Sequence, residues 1–272
     1  MIIKRNPLLI AALSAATMFV SCSAKDKVPT PPPVKTVPNK VHTTPSISRP
    51  ALKNPTFNLP SGQISSTKVS YSRVSTSQPF IALTFDDGPH PQNTPRLLDM
   101  LRERNIKATF YVVGTKVKQY PHIVRRIVAE GHEVGNHTLN HPNLSKMSNA
   151  AVRRELDIGR DSIIAACGVK PRTMRPPYGA LTSSQRSWIF KDYGYPTILW
   201  DVDPNDWKKP GASVVTSRIL NGTRNGSIVL AHDLHKETID AMPSTLNGLL
   251  RKGFKFVTVS QLLSLNTTTA SQ

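Results

Sequence analysis

The stretch Ile81–Pro91, IALTFDDGPHP, runs an apolar segment straight into two adjacent aspartates and a turn. A buried strand does not finish on paired negative charge unless something cationic or reactive sits beside it. Gly88-Pro89 is a turn signal, so the strand stops there and Asp86 and Asp87 lie at its C-terminal rim. Alone, the pair could equally be an Asp-rich turn that caps the next helix. Four other polar clusters bear on the choice: GNHTLNHP, with His137 and His141 four apart; RPPYG, Arg175 to Gly179; WDVDPNDW, Trp200 to Trp207; and LAHDLH, with His232.

The histidine pair has the spacing of the H-E-x-x-H zinc proteases, but Thr138 stands in place of the glutamate and Pro142 follows at once. A long helix is therefore not expected, although a single turn after a strand would still aim both imidazoles the same way. Two neutral imidazoles and one carboxylate form a ligand set for Zn²⁺ with a position left open. Neighbouring side chains in a strand point apart, so the two aspartates should have different tasks. One completes the metal set; the other, held beside water activated by the ion, can act as a general base. His232 could protonate a leaving group, and Arg175 could keep the base ionised. A glycosidase also uses two carboxylates, but they flank a sugar and need no histidine ligands, which disfavours that reading.

The elements that must position these residues alternate. Strands are expected over Phe80–Phe85, Ala108–Val113, His132–Asn136, Thr173–Arg175, Thr197–Trp200, Ser227–Ala231 and Phe254–Thr258. Amphipathic helices are expected over Pro95–Arg104 (Thr94 as N-cap), Pro121–Glu130, Asn149–Cys167, Ser184–Asp192, Ala212–Leu220 and Thr238–Lys252, with a short one from Ser260. Regular βα alternation implies parallel strands with helices outside, and it gathers the C-terminal strand ends, where all five clusters sit, on one surface. The pattern alone does not separate an open sheet from a barrel.

TFDDGP, HTLNH, RPPYG, DPNDW and LAH together resemble, in order, the five motifs of the NodB-homology polysaccharide deacetylases, carbohydrate esterase family 4, over about Pro79 to Leu265. The resemblance implies an α/β fold, an irregular seven-stranded (β/α) barrel, and metal-dependent removal of acetyl groups from N-acetylated glycans. It makes Asp86 the base and Asp87, His137 and His141 the metal ligands. It has Arg175 orient the base, Asp206 tune the general acid His232, the Tyr178 N–H bind the oxyanion, and Trp207 and Leu230 line the acetyl pocket. Zn²⁺ and Co²⁺ both suit that ligand set. Trp200 and Asp203 read as supporting residues, Asp203 by capping its loop, whereas His90, His235 and Asp233 read as rim or structural. His122 and His132 read as surface or packing histidines.

The chain of 272 residues opens with Lys4, Arg5, an apolar run from Pro7 to Val20 and then FVSCSA. This is a secretory signal too short to span a membrane well. Residues 1–22 resemble a lipoprotein signal in which Cys22 receives lipid; the alternative is cleavage after Ala24 and free secretion. Cys167, the other cysteine, reads as a small buried residue near a helix end. Residues 23–78 are rich in Pro, Ser, Thr and Lys, without apolar period, and are expected to be a disordered tether. Residues 79–265 form the catalytic domain and 266–272 a polar tail.

Net charge is +18, of which the tether carries +7, from six Lys and two Arg against Asp26, and the signal another +2. A basic exported chain is suited to anionic lipid or wall polymer. No helix-turn-helix or stacking-aromatic pattern points to nucleic acid. The expected protein is a monomeric, membrane-anchored envelope enzyme that removes N-acetyl groups from N-acetylglucosamine units, with peptidoglycan favoured. Chitin, chitooligosaccharides or poly-N-acetylglucosamine are alternative substrates, an O-acetyl esterase acting on xylan is a further alternative, and a glycan-binding module is the weak non-enzymatic one.

Overall fold

A computed structural model describes residues 52–57 and 68–265. The signal segment, Cys22, most of the expected tether and the tail lie outside the described residues. Among the described residues no helix is long and apolar enough to cross a membrane.

The centre is β2, Phe80–Asp86, buried along its whole length as a parallel-sheet strand covered on both faces must be. It pairs in parallel with β3 (Thr109–Val112) on one side and β6 (Ile228–His232) on the other, while β7 (Lys255–Phe256) joins its N-terminal end. β4 (Glu133–Asn136) continues beyond β3. Single parallel bridges carry the ladder on from Asn136 to Met174, from Met174 to Thr197 in β5 (Thr197–Ile198), and from Val202 to Val229 in β6. The parallel ring expected of an irregular (β/α) barrel is thereby traced.

The expected strand at Thr173–Arg175 shrinks to the one bridge at Met174, because Pro176 and Pro177 follow Arg175 and have no N–H to extend a ladder. The tether boundary also needs correction. Ser70–Tyr71 forms β1 and pairs in parallel with β5. Farther upstream, the buried Asn54 side chain donates to Phe256 O (3.0 Å) and accepts from Phe256 N (2.9 Å). Asn54 thus occupies the edge of β7 as a strand partner would, and ordered contacts begin well before Pro79.

Helices cover the outside. α1 (Asn93–Glu103), α3 (Pro121–Ala129), α4 (Asn149–Cys167) and α5 (Ser183–Tyr193) fall close to expectation, as do α6 (Ala212–Gly222), α7 (Lys236–Arg251) and α8 (Val259–Ser264). The short α2 (Gly114–Gln119) has no counterpart among the expected helices. Thr94 is not the N-cap of α1: it lies inside the first turn, and His90 Nδ1 accepts the Gln92 and Asn93 N–H groups instead.

Strand alternation sorts β2 into two sets. Ile81, Leu83 and Phe85 join Leu97, Leu98 and Leu101 of α1 and the apolar faces of α3 and α7 in one core. Phe80 and Ala82 join Tyr111, Ile198 and Ile228 in the other. Thr84 and Asp86 continue this second set, so the strand that supplies the core also aims a carboxylate into the ring. Tyr111 fills the space beside β4, where a Cβ on Gly135 would lie 2.3 Å from its ring.

Candidate active site

At the C-terminal strand ends a cleft of about 490 Å³ is lined by Asp86, Asp87, His137, His141, Tyr178, Trp200, Asp203, Trp207, Leu230 and His232. Every catalytic, metal and glycan-contacting residue expected from the motifs lines it or bonds directly to a residue that does.

Asp86 ends β2 nearly buried, with Oδ1 2.7 Å from Arg175 Nη1. Arg175 is fully buried, and its charge is matched on every side. Nη1 also donates to Thr84 Oγ1 (2.7 Å), Nε to Ile198 O (3.2 Å) and Nη2 to Leu199 O (3.0 Å). The guanidinium lies over the Tyr111 ring at 4.4 Å and the Trp200 ring at 5.6 Å. An ion pair this deep is retained because each of the three guanidinium nitrogens has an acceptor.

Asp87 leaves the strand with φ 71°, turning its carboxylate away from that of Asp86. Its Oδ1 lies 3.2 Å from His137 Nε2 and 3.0 Å from His141 Nε2. His137 Nδ1 lies 2.7 Å from the Arg175 carbonyl, which can only accept, so Nδ1 donates there and Nε2 is the nitrogen left to bind an ion. Asp87 Oδ1 is buried, with no hydrogen-bond partner among the described residues. Lone pairs converging on one point are repulsive without a cation, so the donor set fits a divalent metal; the three ligand atoms lie within 4.8 Å of one another. The second Asp86 oxygen, Oδ2, lies 3.9 Å from His137 Nε2, beside that point and outside the convergent set.

The expected helical turn at His137–His141 is absent. Thr138 (φ 68°) and His141 (φ 61°) are both left-handed, and hydrogen bonds hold the loop in this shape. Asn136 Oδ1 accepts from Thr138 N (2.9 Å), Thr138 Oγ1 accepts from His141 N (3.0 Å), and the Glu155 carboxylate of α4 takes the Leu139 and Asn140 N–H groups (3.0 and 2.8 Å). Sequence reasoning missed Glu155. Its signal was an acid beside the apolar stripe of Val152, Leu156 and Ile163 on a helix that must face the sheet.

Opposite the ligands, His232 Nδ1 lies 2.8 Å from Oδ1 of fully buried Asp206. Asp206 Oδ2 accepts the His232 N–H (2.8 Å) and the Thr238 hydroxyl (2.7 Å). Burial works to lower His232, but the Asp206 bond and charge, helped by Asp86 and Asp87, lift it to about 9. Burial likewise pushes Asp206 up, and His232 more than offsets it, leaving the carboxyl below its ordinary value. The pair can hold a proton on His232 at neutral pH and aim Nε2 into the cleft.

Tyr178 (φ 60°, 69% exposed) and Trp207 (51% exposed) stand at the mouth, with the Tyr178 ring 4.9 Å from that of His141. Asp203 Oδ1 accepts from Asn205 N (2.7 Å), the loop-capping task expected of it. His132 packs in the core against Phe110, its Nδ1 accepting from Ala108 N, and His122 is exposed. Asp233, read as a rim or structural residue, is fully buried, and burial pushes its carboxyl up to about 7.

Residues 73–198 match the model of the family described as polysaccharide deacetylase. Peptidoglycan-N-acetylglucosamine deacetylase PgdA of Listeria monocytogenes is 43% identical over 182 residues, which cover 67% of this chain and 38% of that protein. The matched region is thus well under half the length of that relative. Chitooligosaccharide deacetylase of a Bradyrhizobium strain is 40% identical over 197 residues, covering 67% of this chain and 90% of its own. Among solved structures, the Bc1960 peptidoglycan N-acetylglucosamine deacetylase superposes with a TM-score of 0.69 at 34% identity, covering 72% of this chain and 92% of that one.

Proposed function

This chain belongs to the polysaccharide deacetylase family, and from that premise we propose that it hydrolyses the N-acetyl groups of N-acetylglucosamine units in peptidoglycan, releasing acetate and leaving the free amine. One observation carries this reading: a convergent Asp87–His137–His141 set with an Arg-paired carboxylate on one side and an Asp-paired imidazole on the other.

Asp87, His137 and His141 would hold a divalent ion, Zn²⁺ or the similarly suited Co²⁺, which when bound supplies a Lewis acid for water and the acetyl carbonyl. Asp86 takes the proton of the attacking water. Arg175 binds Asp86 Oδ1 and leaves its second oxygen facing the cleft. The Tyr178 N–H, turned by the left-handed backbone at that residue, stabilises the oxyanion. His232 then gives its Nε2 proton to the departing amine, with Nδ1 fixed on Asp206. Leu230 and Trp207 enclose the acetyl methyl. The proton lost to Asp86 and the one given by His232 balance over the cycle.

Peptidoglycan is favoured over chitin because its peptide carboxylates suit a catalytic domain of net charge +9 behind a tether of +7. Lipidation at Cys22 and a basic tether would keep the enzyme in the cell envelope beside that polymer. The attraction is screened over about 8 Å at physiological salt, so it assists encounter without setting specificity. Acetate release from peptidoglycan, chitin oligomers, poly-N-acetylglucosamine and acetylxylan tests the proposal. Peptidoglycan should be preferred, and turnover of chitin oligomers with none of peptidoglycan would refute the substrate while leaving the chemistry. Membrane partitioning of wild type against Cys22→Ala tests the anchor; a mature N-terminus at Lys25 would refute it.

A further inference from the structure

Asp233 directly follows His232, yet it is wholly buried and has no part in the steps above. Its Oδ2 accepts the Thr94 hydroxyl, and Thr94 Oγ1 accepts the His90 N–H at 2.7 Å. The carboxylate also lies against Gly88: a Cβ there would be 2.5 Å from Oδ2 and 2.7 Å from Oδ1. Gly88 does not have a positive φ, so the need for room, and not conformational freedom, explains glycine after the two aspartates. Asn93 Nδ2 adds a second tie, donating to Leu234 O at 3.0 Å. Lys116 Nζ also donates to Asp87 O at 2.8 Å.

These contacts bracket the one residue of the loop that needs holding. Asp87 is a left-handed non-glycine residue, a conformation that persists only where its surroundings over-determine it. We propose that Asp233 is a positioning residue for the metal site: through Thr94 and Gly88 it fixes the Asp87 loop to the strand end that carries His232. Metal ligand and proton donor are then held in one frame, although they come from strands at opposite ends of the domain sequence. Removing the tie lets Asp87 relax away from His137 and His141, which weakens the ion before it unfolds the protein.

The inference rests on the reading that Asp87, His137 and His141 bind a divalent ion, and one titration separates the two. Zn²⁺ affinity is measured on metal-free full-length chain by chelator competition, with thermal unfolding of the same metal-free samples. Thr94→Val keeps the volume and removes the hydroxyl; its dissociation constant should rise about 10–100-fold, the usual effect of losing a partner behind a metal ligand. Thr94→Ser should recover most of the affinity. Gly88→Ala, which removes no hydrogen bond but pushes on the carboxylate, should weaken binding in the same direction. If Thr94→Val does not fold, Gly88→Ala decides alone. Wild-type affinity in the folded variants, with only a lower melting temperature, would make Asp233 an ordinary structural residue and overturn the proposal. No Zn²⁺ binding by the wild type would overturn the metal reading itself.

Discussion

Replacing Asp206 by Asn should convert the proton donor into an ordinary buried histidine. Asp206 Oδ1 sits 2.8 Å from His232 Nδ1 and is fully buried, so solvent screens the pair little. The rise of His232 from 6.5 to about 9 amounts to roughly 3 kcal/mol in favour of the imidazolium, net of the burial that opposes it. With a neutral amide at 206 the burial remains and the main support goes, so His232 should titrate at or below 6.5. At 6.5, the upper end of that range, the protonated fraction at pH 8 drops from about nine-tenths to about three-hundredths, so kcat should fall at least about 30-fold, whereas at pH 6 the same value costs under about twofold. The His232 ring can be titrated by NMR in metal-free protein, alongside the pH dependence of acetate release. The same linkage acts on stability. A raised folded-state value stabilises fully below the unfolded 6.5 and is lost as pH rises through about 9, so wild-type stability should fall over that window and the variant should not. A variant that loses activity equally at pH 6 and pH 8, with an unmoved His232 titration, would refute the assignment of proton donor to this pair.

Asp86→Asn should keep its metal and lose about 10²–10⁴-fold in kcat, because an amide cannot take the proton; elemental analysis showing an empty site would mean that the roles of Asp86 and Asp87 are exchanged. Arg175→Met should cost about 3–5 kcal/mol in denaturant unfolding, since it leaves the buried Asp86 carboxylate without its partner; a change below about 1 kcal/mol would contradict the buried ion pair. Trp207→Ala removes a half-exposed ring, so stability should move by less than about 0.5 kcal/mol while KM for glycan rises; an unchanged KM would remove Trp207 from the substrate surface. Alanine at Asp87, His137 or His141 should abolish both bound metal and acetate release, and full activity in a chelator-treated, metal-free sample would refute metal dependence.

The site residues are legible in sequence because each motif interrupts a local pattern: paired acids at the end of an apolar strand, two histidines after a strand, an arginine before two prolines, a histidine closing VLA. Parallel βα alternation then brings every strand's C-terminal end to one face whatever the barrel's details, so the alternation alone is enough to place five distant segments together. Helix bounds such as Asn149–Cys167 follow from apolar periodicity and a glycine at the end, both local signals. The partners behind the site carry no local signal. Thr84 meets Arg175 across 91 positions, and Thr94 meets Asp233 across 139, so packing alone makes those pairs. An acid beside the apolar stripe of α4 marks Glu155 as turned inward but not as the cap of the His137–His141 loop, and nothing local announces that Asn54 will complete the edge of β7 from within a proline-rich segment. The left-handed backbone at Asp87, Thr138, His141 and Tyr178 is likewise against local preference. It exists because tertiary hydrogen bonds and close packing make the strained form cheaper than any relaxed alternative, so the tertiary structure alone decided where the ligand atoms point.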